Sequence, residues 1–220
     1  MKQNRKIRIV SLSRLIESKG VMYYYDIDEM LLERNIETEW VIIGSGELKE
    51  KIKIQWSKKE NIEFFTPDTN QEVYELLQTC DVFVSPSVYE GYGIALIESM
   101  SCGLVPVVYK LPIGVYSELP ADVGFSIAPG DIKAIVEAIV TLDRDRQLLV
   151  AMGNSAIQLV SELYNIEKTS KKYLNFFKEN KVYKTDRGKN NKNYNRSGIL
   201  DSWYIPNIIS RFIKKWRMGI

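Results

Sequence analysis

At 220 residues, 45% apolar and 26% charged, the chain has the composition of an ordinary globular domain, long enough for one good core and short for two. No apolar run of about eighteen residues is present and the start, MKQNRKIRIVSLSRL, lacks the layout of a secretory signal, so a cytoplasmic protein is expected. There is no histidine, the commonest general base and metal ligand; the chemistry must rest on carboxylates, amines or backbone, or on a histidine lent by another domain.

The net charge of +2 hides an asymmetry, because residues 181–220 carry ten Lys and Arg against Asp186 and Asp201 while the preceding 180 residues are mildly acidic. Nucleic acid is not an expected partner. Cys80 and Cys102 have neither CxxC spacing nor scaffold density, which favours buried free thiols.

In chain order, IRIVSL (7–12), WVIIG (40–44), IEFF (62–65), VFVS (82–85) and VPVVY (105–109) are short β-branched or aromatic runs, most of them separated by helical stretches. GFSIA (124–128) offers a sixth strand. Alternation of strand and helix predicts an α/β fold with a parallel sheet, and continuous apolar strands predict helices on both faces. Residues 131–142, 145–164 and 166–180 then form three helices, the first with Asp131 as N-cap. We expect one domain over 1–180. The stretch 183–198, YKTDRGKNNKNYNRSG, sits in a basic linker over 181–199. Residues 200–220 restart an amphipathic pattern with Trp203, Phe212 and Trp216, suiting a helix on an anionic membrane surface, an arm docked on another domain, or a solvated tail.

Ligands of open parallel sheets bind beyond the carboxyl ends of the strands, so the loops there matter most. After the first strand, SRLIESKG carries Arg14 and Lys19, two cations that suit a diphosphate; a solvated Lys and an Arg paired with a nearby acid are the plainer alternative. After the second, GSGE allows close backbone approach at Gly44, or is simply a turn. After the fourth, EGYGIALIE places Gly91, Tyr92, Gly93 and Ile94 at a turn opening a helix, bracketed by Glu90 and Glu98. Glu98 lies in an apolar run where a carboxylate needs a polar partner. Hydroxyls at both ends and negative charge between them, as in a nucleotide-sugar, would match; a turn cap and a helix-favouring Glu are the alternative.

Asp26 and Asp28 resemble a DxD metal motif but lie in an apparent helix, where residues two apart face different ways, and are expected to be solvent-facing. Tyr23, Tyr24 and Tyr25 are expected as partial core.

Residues 7 to about 178 resemble the C-terminal, nucleotide-sugar-binding domain of the retaining GT-B glycosyltransferases of the group 1 family. The resemblance is carried by SRLIESKG, VIIGSGE, LLQTCDVFVSPSVYEGYGIALIESMSCGLVPVV and GFSIAPGD, with Glu90 and Glu98 as the E-x7-E pair. It implies a Rossmann-like sheet, one half of a GT-B fold, working in polysaccharide biosynthesis. It further implies a nucleotide-diphosphate sugar as donor, no metal and no cofactor. Arg14 and Lys19 would bind the diphosphate, Glu90 the sugar, Glu98 the ribose, and the backbone of Gly91 to Ile94 the phosphates or sugar. Ser13 and Thr66 depart from glycines usual in the family, Thr66 near the expected base pocket. The acceptor-binding half is expected to be absent from this chain, which implies that a partner chain or the rest of a longer gene product supplies it. The alternatives are a non-catalytic nucleotide-sugar-binding subunit or an inactive truncated product.

Overall fold

The computed structural model describes residues 5–117 and 119–179. The linker expected over 181–199 and the amphipathic helix expected over 200–220 lie outside the described residues.

All six expected strands form: β1 (Ile7–Leu12), β2 (Thr38–Ile43), β3 (Ile62–Phe65), β4 (Val82–Ser85), β5 (Val105–Tyr109) and β6 (Phe125–Ile127). They pair in parallel in the order β3-β2-β1-β4-β5-β6. The helices are α1 (Tyr23–Leu32), α2 (Lys49–Gln55), α3 (Asn70–Leu77), α4 (Ile94–Ser101), α5 (Ile132–Arg144), α6 (Arg146–Leu163) and α7 (Ile166–Glu179). Thr69, Asp131 and Asp145 cap α3, α5 and α6 with side-chain oxygens. The packing divides after Thr169, so α7 enters a second compact unit from Ser170 onward.

The strands read as continuous apolar runs because each face of the sheet has its own core. Ile7, Ile9, Trp40, Ile42, Val82, Val84 and Val107 point to one side, with Tyr24, Ile27 and Leu31 of α1, Ile52 of α2 and Ile135 and Ile139 of α5. Val10, Val41, Ile43, Phe83 and Val108 point to the other, with Leu77 of α3, Leu96 and Met100 of α4 and Ala156 of α6. A one-residue slip of any strand would exchange the two sets, so register is fixed by burial on both faces.

The Asp26 to Asp28 segment corrects an expectation. Asp26 is exposed, but Asp28 is only 4% exposed. Its carboxylate accepts from Thr38 Oγ1 at 2.6 Å, Trp40 Nε1 at 2.8 Å and Asn61 Nδ2 at 3.1 Å, and pairs with Lys59. Two residues apart on a helix cannot share a face, so when α1 packs its Ile27 and Leu31 inward one of the two aspartates turns with them. Thr38 and Trp40 of β2, with Asn61 and Lys59 just before β3, supply the donors that make this tolerable. Tyr24 and Tyr25 do join the core, Tyr24 buried against Trp40 and Tyr25 edge-on to Trp56.

From β1 the chain winds outward to β2 and β3, then returns to β4 on the opposite side of β1. That reversal opens a crevice between the loops that follow β1 and β4. A cavity of about 570 Å³ lies instead at the amino ends of β1 to β3. Its charged walls are already matched, Arg8 with Glu63, Lys6 with Glu37 and Asp28 with Lys59.

Candidate functional site

The loops after β1 and β4 are stitched together at the crevice. Val88 N–H donates to the Ser18 carbonyl at 3.0 Å, and Ser87 Oγ donates to the carbonyls of Ser18 and Tyr89 at 3.2 and 2.9 Å. This contact sets Lys19, at the end of a short 3-10 turn, against the β4 loop. Its ammonium donates to the Tyr89 carbonyl at 3.0 Å and lies 2.7 Å from Glu90 Oε1. Both side chains are largely withdrawn from water, at 12% and 15% exposure, so their attraction is screened less than that of a surface pair.

Glu90 leads into the turn that opens α4. Gly93, the N-cap, has φ of 89°, and a Cβ there would fall 2.8 Å from the Tyr116 ring, so only glycine fits. α4, like α1 and α2 and unlike α3 and α5, starts without a side-chain cap. Its first N–H groups therefore remain available to an anion. Tyr116 is buried beneath the turn; burial first, and the Glu90 charge next, push its phenol well above the usual tyrosine range. Burial pushes the Tyr24 phenol up to about 12, while hydrogen bonds with Ser11 and Ser13 pull the other way. Both phenols are thus neutral hydrogen-bonding groups under Glu90 at ordinary pH.

Glu98 lies farther along α4, half-buried. Its carboxylate makes no hydrogen bond or ion pair among the described residues, and burial holds the carboxyl above the ordinary value. The polar partner expected for it is not supplied by the described protein.

The other expected residues are distributed as follows. Arg14 is exposed on the β1 loop without a side-chain partner among the described residues. Gly91 is exposed and a Cβ there would meet open space, while Tyr92 and Ile94 expose large apolar surfaces beside it. Gly44, with φ of 141°, packs so closely on the β1 loop that a Cβ would lie 2.0 Å from the Ser13 carbonyl oxygen. Its visible role is this backbone approach, reinforced by Leu15 N–H donating to the Ser45 carbonyl at 2.8 Å. Thr66 follows β3 and accepts from Lys49 Nζ at 2.8 Å. The structure therefore gathers Lys19, Glu90 and Gly91 to Ile94 at one crevice, with Glu98 along the same helix. Gly44 and Thr66 form a neighbouring group, joined by Gly44 N–H donating to the Phe65 carbonyl at 3.0 Å.

Sequence reasoning missed Lys49 and Tyr116. Lys49 had a signal in its place at the first turn after GSGE; Tyr116 lies in KLPIGVYSE, the stretch that follows the VPVVY strand, where nothing in the sequence marks which residue turns inward. Cys80 and Cys102 are free, the first buried with its thiol pushed up to about 11 by burial, the second half-buried.

Over residues 1–159 the sequence matches the family of glycosyl transferases group 1. The chain belongs to that family. A curated group 1 relative, the Escherichia coli UDP-Gal:alpha-D-GlcNAc-diphosphoundecaprenol alpha-1,3-galactosyltransferase, is 26% identical over 164 residues, covering 73% of this chain and 42% of the relative. The chain thus spans less than half the length of this relative. Its Rossmann-like fold matches GT-B glycosyltransferase structures. A variant of S. aureus TarM, solved with Fondaparinux, alpha-GlcNAc-glycerol and UDP, superimposes with a TM-score of 0.71 at 22% identity, over 78% of this chain and 35% of TarM. The C-terminal domain of the group 1 protein LpcC from Francisella tularensis superimposes with a TM-score of 0.65 at 20% identity, over 73% of this chain and 87% of that domain. At these identities the likeness speaks for the fold.

Among the described residues no group of three or more Cys, Asp or Glu is placed to hold a metal ion, and no helix is long and apolar enough to cross a membrane.

Proposed function

We propose that this group 1 chain is the donor-binding half of a retaining glycosyltransferase. It would bind a nucleotide-diphosphate sugar at the β1/β4 crevice and act with an acceptor-binding half supplied from outside these 220 residues. The observation that carries the reading is Glu98, a half-buried carboxylate without a protein partner among the described residues, on the helix whose uncapped start adjoins the Lys19–Glu90 pair. A half-buried charge left unpaired is costly unless a ligand meets it, and ribose hydroxyls are donors suited to do so.

In this reading the diphosphate lies over the α4 N-terminus, its charge met by Lys19 and Arg14, and Glu90 accepts from sugar hydroxyls. The bond from the anomeric carbon to the diphosphate breaks and a bond to the acceptor oxygen forms on the same face, the acceptor hydroxyl's proton passing to the departing diphosphate oxygen. The cations and helix N–H groups stabilise the charge that develops on the departing diphosphate, an electrostatic contribution that requires no metal in its logic.

The test is calorimetry and thermal shift with UDP, GDP and ADP, free and sugar-linked. A bound nucleotide at a hundredfold excess over Kd stabilises the fold by about 2.7 kcal/mol. Absence of any shift across the panel would overturn the reading. Donor hydrolysis by the chain alone, and transfer when an acceptor-binding partner is added, then separate a transferase half from a subunit that only binds.

A further inference from the structure

The stretch after β5 reaches the turn that opens α4 and braces it. A short 3-10 turn, Gly114–Ser117, is closed by Ser117 Oγ donating to the Gly114 carbonyl at 2.8 Å. It abuts two successive residues of the α4 turn. A Cβ on Gly114, whose φ is 55°, would lie 2.7 Å from the Tyr92 carbonyl oxygen, and one on Gly93 would lie 2.8 Å from the nearest carbon of the Tyr116 ring. Tyr116 is 1% exposed and packs in the same core as Leu96 and Met100 of α4. Its hydroxyl shares a hydrogen bond with Ser85, the last residue of β4. The Tyr92 ring also stands edge-on to that of Tyr164, just after α6, with centroids 6.3 Å apart. The turn is thus braced at Tyr92 and Gly93, whereas a Cβ on Gly91 would meet open space.

We propose that Tyr116 is a positioning residue of the donor site: without touching the donor, its ring, with Gly114 beside it, holds the Gly91 to Ile94 turn so that the first N–H groups of α4 face the diphosphate. The inference rests on the donor-site reading above and adds to it a residue from a strand that the reading does not use.

The need for such a brace follows from the turn itself. Two of its residues are glycines, which have more backbone freedom than any other residue, and α4 has no side-chain cap to hold its first turn. Donors aimed at an anion act only from a fixed place, and a displacement of about 1 Å at a site can cost about 100-fold in rate. A tyrosine ring turns about two side-chain torsions and, once buried, gives a rigid surface on which a residue without a side chain can rest. The hydrogen bond to Ser85 ties that surface to the tip of β4, the strand that leads into the same turn.

Isothermal titration of the full chain with UDP, GDP and ADP, together with the phosphorus NMR spectrum of whichever binds most tightly, tests this role. Tyr116→Ala should weaken that diphosphate about tenfold or more and move its bound resonances toward those of the free nucleotide. Tyr116→Phe, which keeps the ring, should recover most of the affinity. Gly114→Ala leaves the ring in place but presses a methyl on the Tyr92 carbonyl; it should reproduce the loss, and it serves as the test if Tyr116→Ala does not fold. Val41→Ala truncates the same core within β2 and should lower the melting temperature while leaving affinity and resonances as in the wild type. Unchanged affinity and resonances in both Tyr116→Ala and Gly114→Ala would overturn the proposal and leave the donor site standing. A loss in Tyr116→Phe equal to that in Tyr116→Ala would also overturn it, as would an equal loss in Val41→Ala, which would mark a general effect of stability. A folded wild-type chain that binds none of the three diphosphates would remove the donor site itself, and this role with it.

Discussion

Lys19 and Glu90, on loops that follow different strands, meet at 2.7 Å across the tips of β1 and β4. The two residues expected to hold opposite ends of a donor, its diphosphate and its sugar, form an ion pair with each other. The pair keeps Glu90 from standing unpaired in a partly dry crevice, as Glu98 does.

Lys19→Ala is expected to weaken UDP and UDP-sugar equally, by about tenfold or more, because the interaction lost is with the diphosphate common to both. Glu90→Gln should leave UDP nearly unaffected and penalise the sugar-linked form. Titration of both variants with both ligands checks this; a Glu90→Gln protein with an unchanged preference for the sugar-linked nucleotide would contradict the assignment.

Glu98→Gln should make the ligand-free protein more stable and the nucleotide weaker. Burial raises the folded-state pKa of Glu98 above its unfolded value, so the folded state binds more protons in the interval between the two values. Stability attributable to this group therefore falls as pH rises through that interval. The variant's higher melting temperature should be complete once the pH is above the raised folded pKa, and vanish below the ordinary glutamate range, where Glu98 is protonated in both states. Melting curves across this range, with and without nucleotide, would show the two effects moving oppositely.

Asp28→Ala should cost about 2–4 kcal/mol, since it removes the shared acceptor of Thr38, Trp40 and Asn61, leaving Trp40 and Asn61 only Thr38 oxygens, and removes a buried partner of Lys59. Asp26→Ala, on an exposed position two residues earlier, should change stability by no more than about 0.5 kcal/mol. Denaturant unfolding of the two proteins is a direct comparison, and equal effects would mean that Asp28 is not held as described.

Gly93→Ala should lose about 1–3 kcal/mol and disturb nucleotide binding, because the new methyl meets both a left-handed backbone and the Tyr116 ring. Gly91→Ala has open space and should be close to neutral in stability. Thermal unfolding of the pair, with the wild type alongside, distinguishes a conformational requirement at one glycine from a general intolerance of the turn.

Much of this molecule was legible in its residues alone. Runs such as IRIVSL and VFVS mark strands because β-branched residues fit an extended backbone, and their unbroken hydrophobicity requires cover on both faces, which α1, α2 and α5 on one side and α3 and α4 on the other provide. The turn at Gly91 to Ile94 and the helix behind it were equally local, set by glycine and by the apolar run after it. These signals depend on neighbours within a few positions.

What the sequence left open depended on strand order. Nothing near Lys19 indicates that the chain will place β4 beside β1 after passing through β2 and β3, and only that adjacency brings Lys19 to Glu90. The same holds for Asp28, which a helical pattern sends to one of two faces but which only the arrival of Thr38, Trp40 and Asn61 makes a buried, satisfied carboxylate. Gly44, legible as a close-approach glycine or a turn, has its Cβ direction taken by the β1 loop, whose Ser13 carbonyl oxygen lies 2.0 Å from where a side chain would begin. Local propensity chose the elements of this protein, and the long-range packing of the sheet chose which charges meet, because ion pairs and hydrogen bonds between distant segments form only after burial has fixed the strands side by side.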